Sequence, residues 1–201
     1  MSEELTTNKT LRYYNANAEN FITNTQFINF KETQQRFLQL LPAHACILDF
    51  GCGSGRDTKY FLDRGYQVEA TDGAAEICKL ASEYTGIAVR QMLFEELDAV
   101  KRYDGIWACS SILHLPKAEL LSVMGKMKNA LRDRGIIYTS FKYGEFEGER
   151  NGRYFTDFTK DSFAVFMKQA GGLRIEDDWI TGDVRPGRGN EMWLNLILRR
   201  E

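Results

Sequence analysis

Hydrophobic residues follow two different spacings along this chain, and the two spacings alternate. In residues 11–22 and 30–41 apolar side chains recur every three or four positions, which predicts two amphipathic helices, the second of which ends before Pro42. From residue 46 onward, short apolar runs typical of buried strands alternate with segments of helical periodicity. This alternation indicates an α/β fold.

Seven runs have the character of strands. They lie at residues 46–50, 67–72, 87–92, 103–110, 135–142, 173–180 and 192–200. Helical patterns at 56–63, 74–84 and 117–133 lie between the earlier runs, and crossover helices are typical of parallel pairing. No helix separates the last two runs, so we expect them to form an antiparallel hairpin. The pattern predicts a doubly wound sheet of seven strands, mostly parallel, with the C-terminal hairpin at its edge.

The composition is typical of a globular protein that has no membrane-spanning segment. The chain has 201 residues, of which 43% are hydrophobic and 27% charged, as expected for one globular domain. Its net charge of −2 gives no strong signal for nucleic-acid binding. Because no apolar run is long enough to span a membrane and the N-terminus lacks an apolar leader, we expect a cytoplasmic protein with no membrane partner. Four cysteines and two histidines lack the spacing of a zinc site, so we expect free thiols and no metal.

Three glycines follow the first strand at alternate positions, in "ILDFGCGSGRDT". Gly51, Gly53 and Gly55 let the backbone take positive φ and approach a ligand closely. This turn lies where doubly wound folds bind their ligands, and the following helix N-terminus suits an anionic group. The sequence lacks the Lys-Ser/Thr pair of nucleotide hydrolases and the G-x-G-x-x-G spacing of dinucleotide sites. The glycines are also compatible with a tight turn that binds nothing.

The form D-x-G-x-G-x-G, from Asp49 to Gly55, resembles the first motif of class I S-adenosylmethionine-dependent methyltransferases. The resemblance extends over nearly the whole chain, and it is strongest with the small single-domain enzymes that include the tellurite-resistance and thiopurine methyltransferases. It implies a Rossmann-like methyltransferase fold, S-adenosylmethionine as cofactor and S-adenosylhomocysteine as product. It also implies three segments: an N-terminal helical lid at 1–42, a cofactor-binding core at 43–142, and a flap with the C-terminal hairpin at 143–201.

The resemblance assigns a set of cofactor-binding residues at the strand ends. Asp72 is expected to bind the ribose hydroxyls, although it also suits a helix N-cap, and Asp49 is expected near the amino-acid end of the cofactor. Tyr13 or Tyr14 is expected to cover the cofactor. The predicted set is Tyr14, Asp49, Gly51, Cys52, Gly53, Gly55, Asp72, Gly73, Ala74, Met92, Leu93, Cys109 and Ser110.

Catalytic and acceptor residues are predicted outside this set. His114 is a candidate general base, with capping or packing of the next helix as the alternative. Arg153 and Tyr154, in a charged loop at 142–159 expected to be a mobile flap, join Arg185 and Arg188 as a predicted acceptor site. Surface arginines with no ligand are the alternative.

We therefore expect methyl transfer to a small, anionic acceptor. A methyltransferase of tRNA or protein that works with a partner, and a module that binds the cofactor without catalysis, remain alternatives. The sequence leaves the acceptor atom and the oligomeric state open.

Overall fold

The computed structural model describes residues 3–185 and 187–201, and their side chains from residue 9 onward. The helices are α1 (Glu3–Ala16), α2 (Ala18–Thr25), α3 (Lys31–Leu38), α4 (Arg56–Leu62), α5 (Ala75–Thr85), α6 (Lys117–Ala130) and α7 (Lys160–Ala170). The strands are β1 (Cys46–Phe50), β2 (Gln67–Asp72), β3 (Val89–Gln91), β4 (Tyr103–Ala108), β5 (Leu131–Lys142), β6 (Glu147–Arg150), β7 (Arg153–Thr156), β8 (Leu173–Gly182) and β9 (Met192–Arg200).

Seven of the strands form one sheet in the order β3-β2-β1-β4-β5-β9-β8. The first five are parallel, and β9 runs antiparallel to both β5 and β8. The predicted seven-stranded sheet and its antiparallel C-terminal hairpin are thus confirmed. The strand order reverses at β1, whose neighbours are β2 and β4, and this is where doubly wound folds open a crevice.

Alternate residues of the central strand support two hydrophobic layers. Leu48 and Phe50 of β1 pack in the cluster that contains the buried faces of α6 and α7. Ile47 points to the opposite layer, where it packs with Phe37 of α3 and Phe61 of α4. Because the strands are buried on both faces, they read as continuous apolar runs in the sequence.

The N-terminal region departs from the predicted pair of helices. The periodicity of residues 11–22 predicts one helix, but the structure divides it into α1 and α2 at Asn17. The Asn17 side-chain amide donates to the Tyr13 carbonyl at 2.8 Å, and its backbone leaves helical geometry, with φ −121° and ψ 18°. Asparagine favours such breaks because its amide competes for backbone hydrogen bonds.

The predicted flap loop contains a two-stranded hairpin, β6–β7. Its turn residues, Asn151 and Gly152, have φ of 51° and 76°, as a type I′ turn requires. The hairpin contacts α1, since the Tyr154 N–H donates to Thr10 Oγ1 at 3.2 Å. The predicted loop is therefore an ordered element that packs on the N-terminal helix.

The predicted segment boundaries at 42 and 142 stay a prediction, and so does the cytoplasmic location. Within the described part of the chain, no helix has both the length and the apolar character needed to cross a bilayer. The cysteines are free thiols.

We predict that replacing Gly55 destabilises the protein more than replacing Gly86, although both glycines have a left-handed backbone. Its φ is 74°, and a Cβ there would lie 2.6 Å from Thr85 Cγ2. Gly86, with φ 79° at the end of α5, has open space instead. Gly86→Ala should lower the free energy of unfolding by about 1–2 kcal/mol through backbone strain. Gly55→Ala should add a packing cost and lower it by about 2–4 kcal/mol. Urea denaturation of both variants checks this, and equal losses would contradict it.

Candidate active site

A cavity of about 220 Å³ lies at the carboxyl ends of β1, β2 and β4, beneath α1, α2 and the β6–β7 hairpin. Residues from all three predicted sets reach it. The predicted residues in its lining are Tyr14, Gly51, Cys52, Gly53, Asp72, Gly73, Met92, Leu93, Cys109, Ser110, His114, Arg153, Arg185 and Arg188. Four predicted residues lie outside the lining: Asp49, Gly55, Ala74 and Tyr154.

The glycine turn forms one wall of the cavity. Gly51 and Gly53 have φ of 81° and 54°. A Cβ at Gly51 would lie 2.5 Å from Ser111 Cβ, and one at Gly53 would lie 3.1 Å from the Phe21 ring. These two glycines bring bare backbone to the cavity, whereas Gly55 packs α4 against α5.

Asp72 is held at the end of β2 by backbone donors. Its carboxylate accepts hydrogen bonds from the Gly53 N–H at 3.1 Å and the Ala74 N–H at 3.0 Å. Burial raises the pKa of Asp72, and these backbone hydrogen bonds oppose the rise. Ala74 lies outside the cavity lining, and its backbone N–H orients the Asp72 carboxylate from there. Because a carboxylate has about four acceptor positions, two bonds leave room for hydroxyl donors from a ligand.

Asp49 lies beneath the turn instead of facing the cavity. The carboxyl group is buried, and Thr58 Oγ1 donates to it at 2.5 Å. Burial, together with the nearby Asp57 carboxylate, raises the pKa of Asp49. Asp49 is therefore placed to support the glycine turn from below and not to contact a ligand.

Arg56 is a cavity residue that the sequence prediction missed. Its Nε and Nη2 bind the two Asp57 oxygens at 2.9 and 2.8 Å, and Nη2 lies 3.8 Å from Cys109 Sγ. Asp57 is buried and also accepts from Gln34 Nε2 and Trp107 Nε1, so the guanidinium is fixed in place. Burial opposes ionisation of Asp57, but Arg56 outweighs it and lowers the pKa of Asp57. The sequence feature that could have indicated Arg56 is the Arg-Asp pair directly after the last glycine of the turn.

The wall beyond β2 and β3 combines apolar side chains with one carboxylate, that of Glu95. Met92 is buried, and Leu93 lines the cavity beside Gly73. The Leu93 N–H donates to Glu96 Oε2 at 2.7 Å, so it is not free for a ligand.

The opposite wall begins at the end of β4. Ser110 has a left-handed backbone, with φ 53°, and its N–H donates to Ser140 Oγ at 2.9 Å. Because non-glycine residues rarely adopt this conformation, the serine pair fixes a strained turn at the cavity.

Both ring nitrogens of His114 are hydrogen-bonded within the protein. Nδ1 lies 2.6 Å from the Tyr154 carbonyl, which can only accept, so Nδ1 carries the proton. Nε2 therefore accepts from the Tyr14 hydroxyl, 2.8 Å away. Burial lowers the pKa of His114 to about 4, which keeps the ring neutral near pH 7. Any proton that reaches His114 from the cavity has to pass through Tyr14.

The three arginines predicted for the acceptor site all line the cavity, but they differ in whether a carboxylate is bound to them. Arg185 binds both oxygens of Asp183, with Nε at 2.9 Å from Oδ1 and Nη2 at 2.5 Å from Oδ2. Arg188 binds both oxygens of Glu191, at 2.5 and 2.9 Å. Arg153 forms no ion pair with any residue that the structure describes. Tyr154 points away, and its hydroxyl donates to Glu147 Oε1 at 3.3 Å.

Comparison with solved structures shows the same fold elsewhere. Burkholderia thailandensis 1,6-didemethyltoxoflavin-N1-methyltransferase, solved with 1,6-didemethyltoxoflavin and S-adenosylhomocysteine, superposes with a TM-score of 0.80. The match covers 100% of this chain and 91% of that one at 22% sequence identity.

Sequence comparison finds similar proteins over part of the chain. Residues 47–135 match the family described as "Methyltransferase domain". N-terminal Xaa-Pro-Lys N-methyltransferase 1-B of Xenopus laevis is 33% identical over 127 residues, which cover 58% of this chain and 57% of the relative. The match thus spans little more than half the length of that relative. An uncharacterized methyltransferase of Staphylococcus carnosus is 24% identical over 72% of both chains. The cavity thus lies in a chain whose residues 47–135 match the methyltransferase domain family and whose fold is that of the class I, Rossmann-like methyltransferases.

Proposed function

We propose that this protein transfers a methyl group from S-adenosylmethionine to a small, anionic acceptor. The observation that carries the proposal is the pairing of Asp72 with the glycine turn across one cavity. The carboxylate is oriented by backbone N–H groups and keeps acceptor positions for a vicinal diol. Side chains at Gly51 and Gly53 would crowd the wall beside it. These features fit a ligand that has a ribose.

Each part of the cavity suits one part of the cofactor. Asp72 would bind the ribose hydroxyls, and the apolar surface of Met92 and Leu93 would contact the adenine ring. Arg56, fixed by Asp57 at the start of α4, would pair with the carboxylate at the amino-acid end, because guanidinium binds carboxylate well. Gly51 and Gly53 would supply backbone contact between these ends.

The cofactor, when bound, supplies an activated methyl group that reacts by in-line displacement. The protein's part is to align the acceptor and to keep water away. Tyr14 and Phe21 from the N-terminal helices and Phe155 from β7 enclose the cavity from above. A closed apolar cover of this kind favours direct displacement over hydrolysis.

Tyr14 and His114 would accept a proton where the acceptor has one to lose. The neutral His114 ring holds the Tyr14 hydroxyl through Nε2, and the Tyr154 carbonyl holds the opposite nitrogen. A proton from the acceptor would pass to Tyr14 Oη as the phenolic proton passes to Nε2. His114 would thus act through Tyr14, with no direct contact to the acceptor.

The charge of the acceptor side favours an anion over an ammonium group. Lys142, Arg153, Arg185 and Arg188 line this part of the cavity. Asp183 and Glu191 are the carboxylates that pair with the three cations other than Arg153. Four cations against two carboxylates leave a positive surplus. A cationic acceptor would be repelled by this surplus and by the sulfonium of the cofactor.

Methylation of a protein N-terminus is the second candidate, and the sequence identity with the Xenopus relative favours it. The positive surplus opposes it, because an α-ammonium group is itself cationic near neutral pH.

Formation of S-adenosylhomocysteine separates the two candidates. The protein is incubated with S-adenosylmethionine and either a panel of small aromatic and aliphatic acids or peptides that begin Xaa-Pro-Lys. We expect turnover with one or more acids and none with the peptides. Turnover with the peptides alone would overturn the anionic acceptor, and a protein that binds neither cofactor nor product would overturn the methyltransferase proposal.

We predict that Asp72→Asn weakens binding of S-adenosylhomocysteine by about 1.5–3 kcal/mol, the usual value for hydrogen bonds to a charged group. Asp63→Asn is the matched control, since Asp63 lies at the surface and pairs only with Lys59 in the described part of the chain. Isothermal titration calorimetry of both variants, with NAD as a control ligand, provides the measurement. Unchanged affinity in Asp72→Asn, or comparable binding of NAD, would contradict the cofactor site.

We predict that His114 makes the protein sensitive to acid. Its folded-state pKa of about 4 lies below the ordinary value of 6.5, so the unfolded state binds the proton more tightly between these values. Stability from His114 is therefore complete above pH 6.5 and is lost as pH falls toward 4. Between pH 7 and 5 the wild type should lose about 2 kcal/mol more unfolding free energy than His114→Gln, which does not titrate. The unfolding free energies are measured by urea denaturation at each pH. The same loss in wild type and His114→Gln between pH 7 and 5 would contradict the buried neutral ring.

A further inference from the structure

Arg153 differs from the other cationic residues of the cavity. Its side chain is half-buried in the cavity wall, yet no described carboxylate lies within ion-pair distance of it. Its Nε is buried and has no hydrogen-bond partner. The guanidinium makes one hydrogen bond, from Nη1 to Tyr14 Oη at 3.4 Å.

Aromatic rings surround this guanidinium. Its Cζ lies 4.4 Å from the centroid of the Tyr13 ring and 5.1 Å from that of Phe155. Cation–π contacts of this kind hold the side chain in place, but they leave its buried Nε–H without an acceptor. A half-buried cation that lacks a carboxylate partner is costly, so an anionic ligand would be favoured here.

The paired arginines make the contrast clear. The donors of Arg185 and Arg188 already bind Asp183 and Glu191 in two-point contacts. A ligand could reach only the remaining Nη hydrogens of these two guanidiniums unless it displaced the carboxylate, whereas Arg153 is bound to no described carboxylate.

We propose that Arg153 is the docking group for an anionic oxygen of a planar acceptor, such as an aromatic carboxylate. This inference rests on the proposed function, because it places the acceptor beside the methyl donor in the same cavity. The guanidinium fork binds two oxygens of a carboxylate in one plane. The rings of Phe155 and Trp193, which also line the cavity, suit the flat body of such a molecule. Tyr14 then lies next to the docked group, at the head of the path to His114.

Benzoate is the probe for this subsite. It is titrated by calorimetry into the protein saturated with S-adenosylhomocysteine, and benzamide, which has the same shape but no charge, is titrated as a second probe. Arg153→Met and Arg185→Met remove one positive charge each from the same cavity. Any difference between them therefore reports direct docking and not the overall field.

We expect Arg153→Met to weaken benzoate binding about 10- to 100-fold, and Arg185→Met to weaken it less than about threefold. Arg153→Lys should fall between wild type and Arg153→Met, since it keeps the charge but loses the fork. Benzamide should bind the wild type more weakly than benzoate does. Equal loss in the two methionine variants, or no benzoate binding to the wild type, would overturn the subsite. Affinity for S-adenosylhomocysteine is measured first in each variant, so failure of the cofactor site is seen separately from failure of this subsite.

Discussion

The buried Asp57 carboxylate joins three parts of the chain at the point where the strand order reverses. It accepts hydrogen bonds from Gln34 on α3, Arg56 on α4 and Trp107 on β4. Because a buried charge is tolerated only when its acceptor positions are filled, these elements are constrained to meet at one place. The start of α4, and with it the end of the glycine turn, is thereby held against β4. The cavity has a fixed wall because this charge has to be satisfied.

The cover of the cavity is assembled from distant segments by polar contacts. Tyr14 on α1, His114 after β4 and the Tyr154 carbonyl on β7 form one chain of hydrogen bonds. The exposed ion pair of Lys9 with Glu149 adds a further link between α1 and the hairpin. Exposed ion pairs contribute little on their own, so the buried His114 contacts contribute more than this ion pair does. Side chains of α1 and α2 also pack with Ala74 and Ile77 in a small hydrophobic cluster, separate from the two layers of the sheet, so the cover can open without disturbing those layers.

The sheet could be predicted from the sequence because strand and helix periodicities are local signals. The mostly parallel sheet, its C-terminal hairpin and the place of the cavity followed from the alternation of elements and from the glycine turn after β1. The β6–β7 hairpin was missed, although the dipeptide Asn151-Gly152 is typical of a two-residue hairpin turn. The charges of this segment favoured a loop, but they pair across the hairpin and with α1, as Arg150 with Asp157 and Lys9 with Glu149 show. The break at Asn17 depends on one side-chain hydrogen bond, which hydrophobic periodicity does not report.

Which arginine is available to a ligand is a tertiary property. Arg153, Arg185 and Arg188 look equivalent in the sequence, and all three reach the cavity. Asp183 lies two residues from Arg185, and Glu191 lies three residues from Arg188, so their pairing is local and has a visible sequence signal. Arg153 has Glu149 and Asp157 at similar distances, but these carboxylates pair with Lys9 and Arg150 instead. In the hairpin the acidic neighbours of Arg153 are thus paired with other cations, and its guanidinium lies against aromatic rings. Its unpaired charge arises from the register of β6 against β7, which no count of charged residues could give.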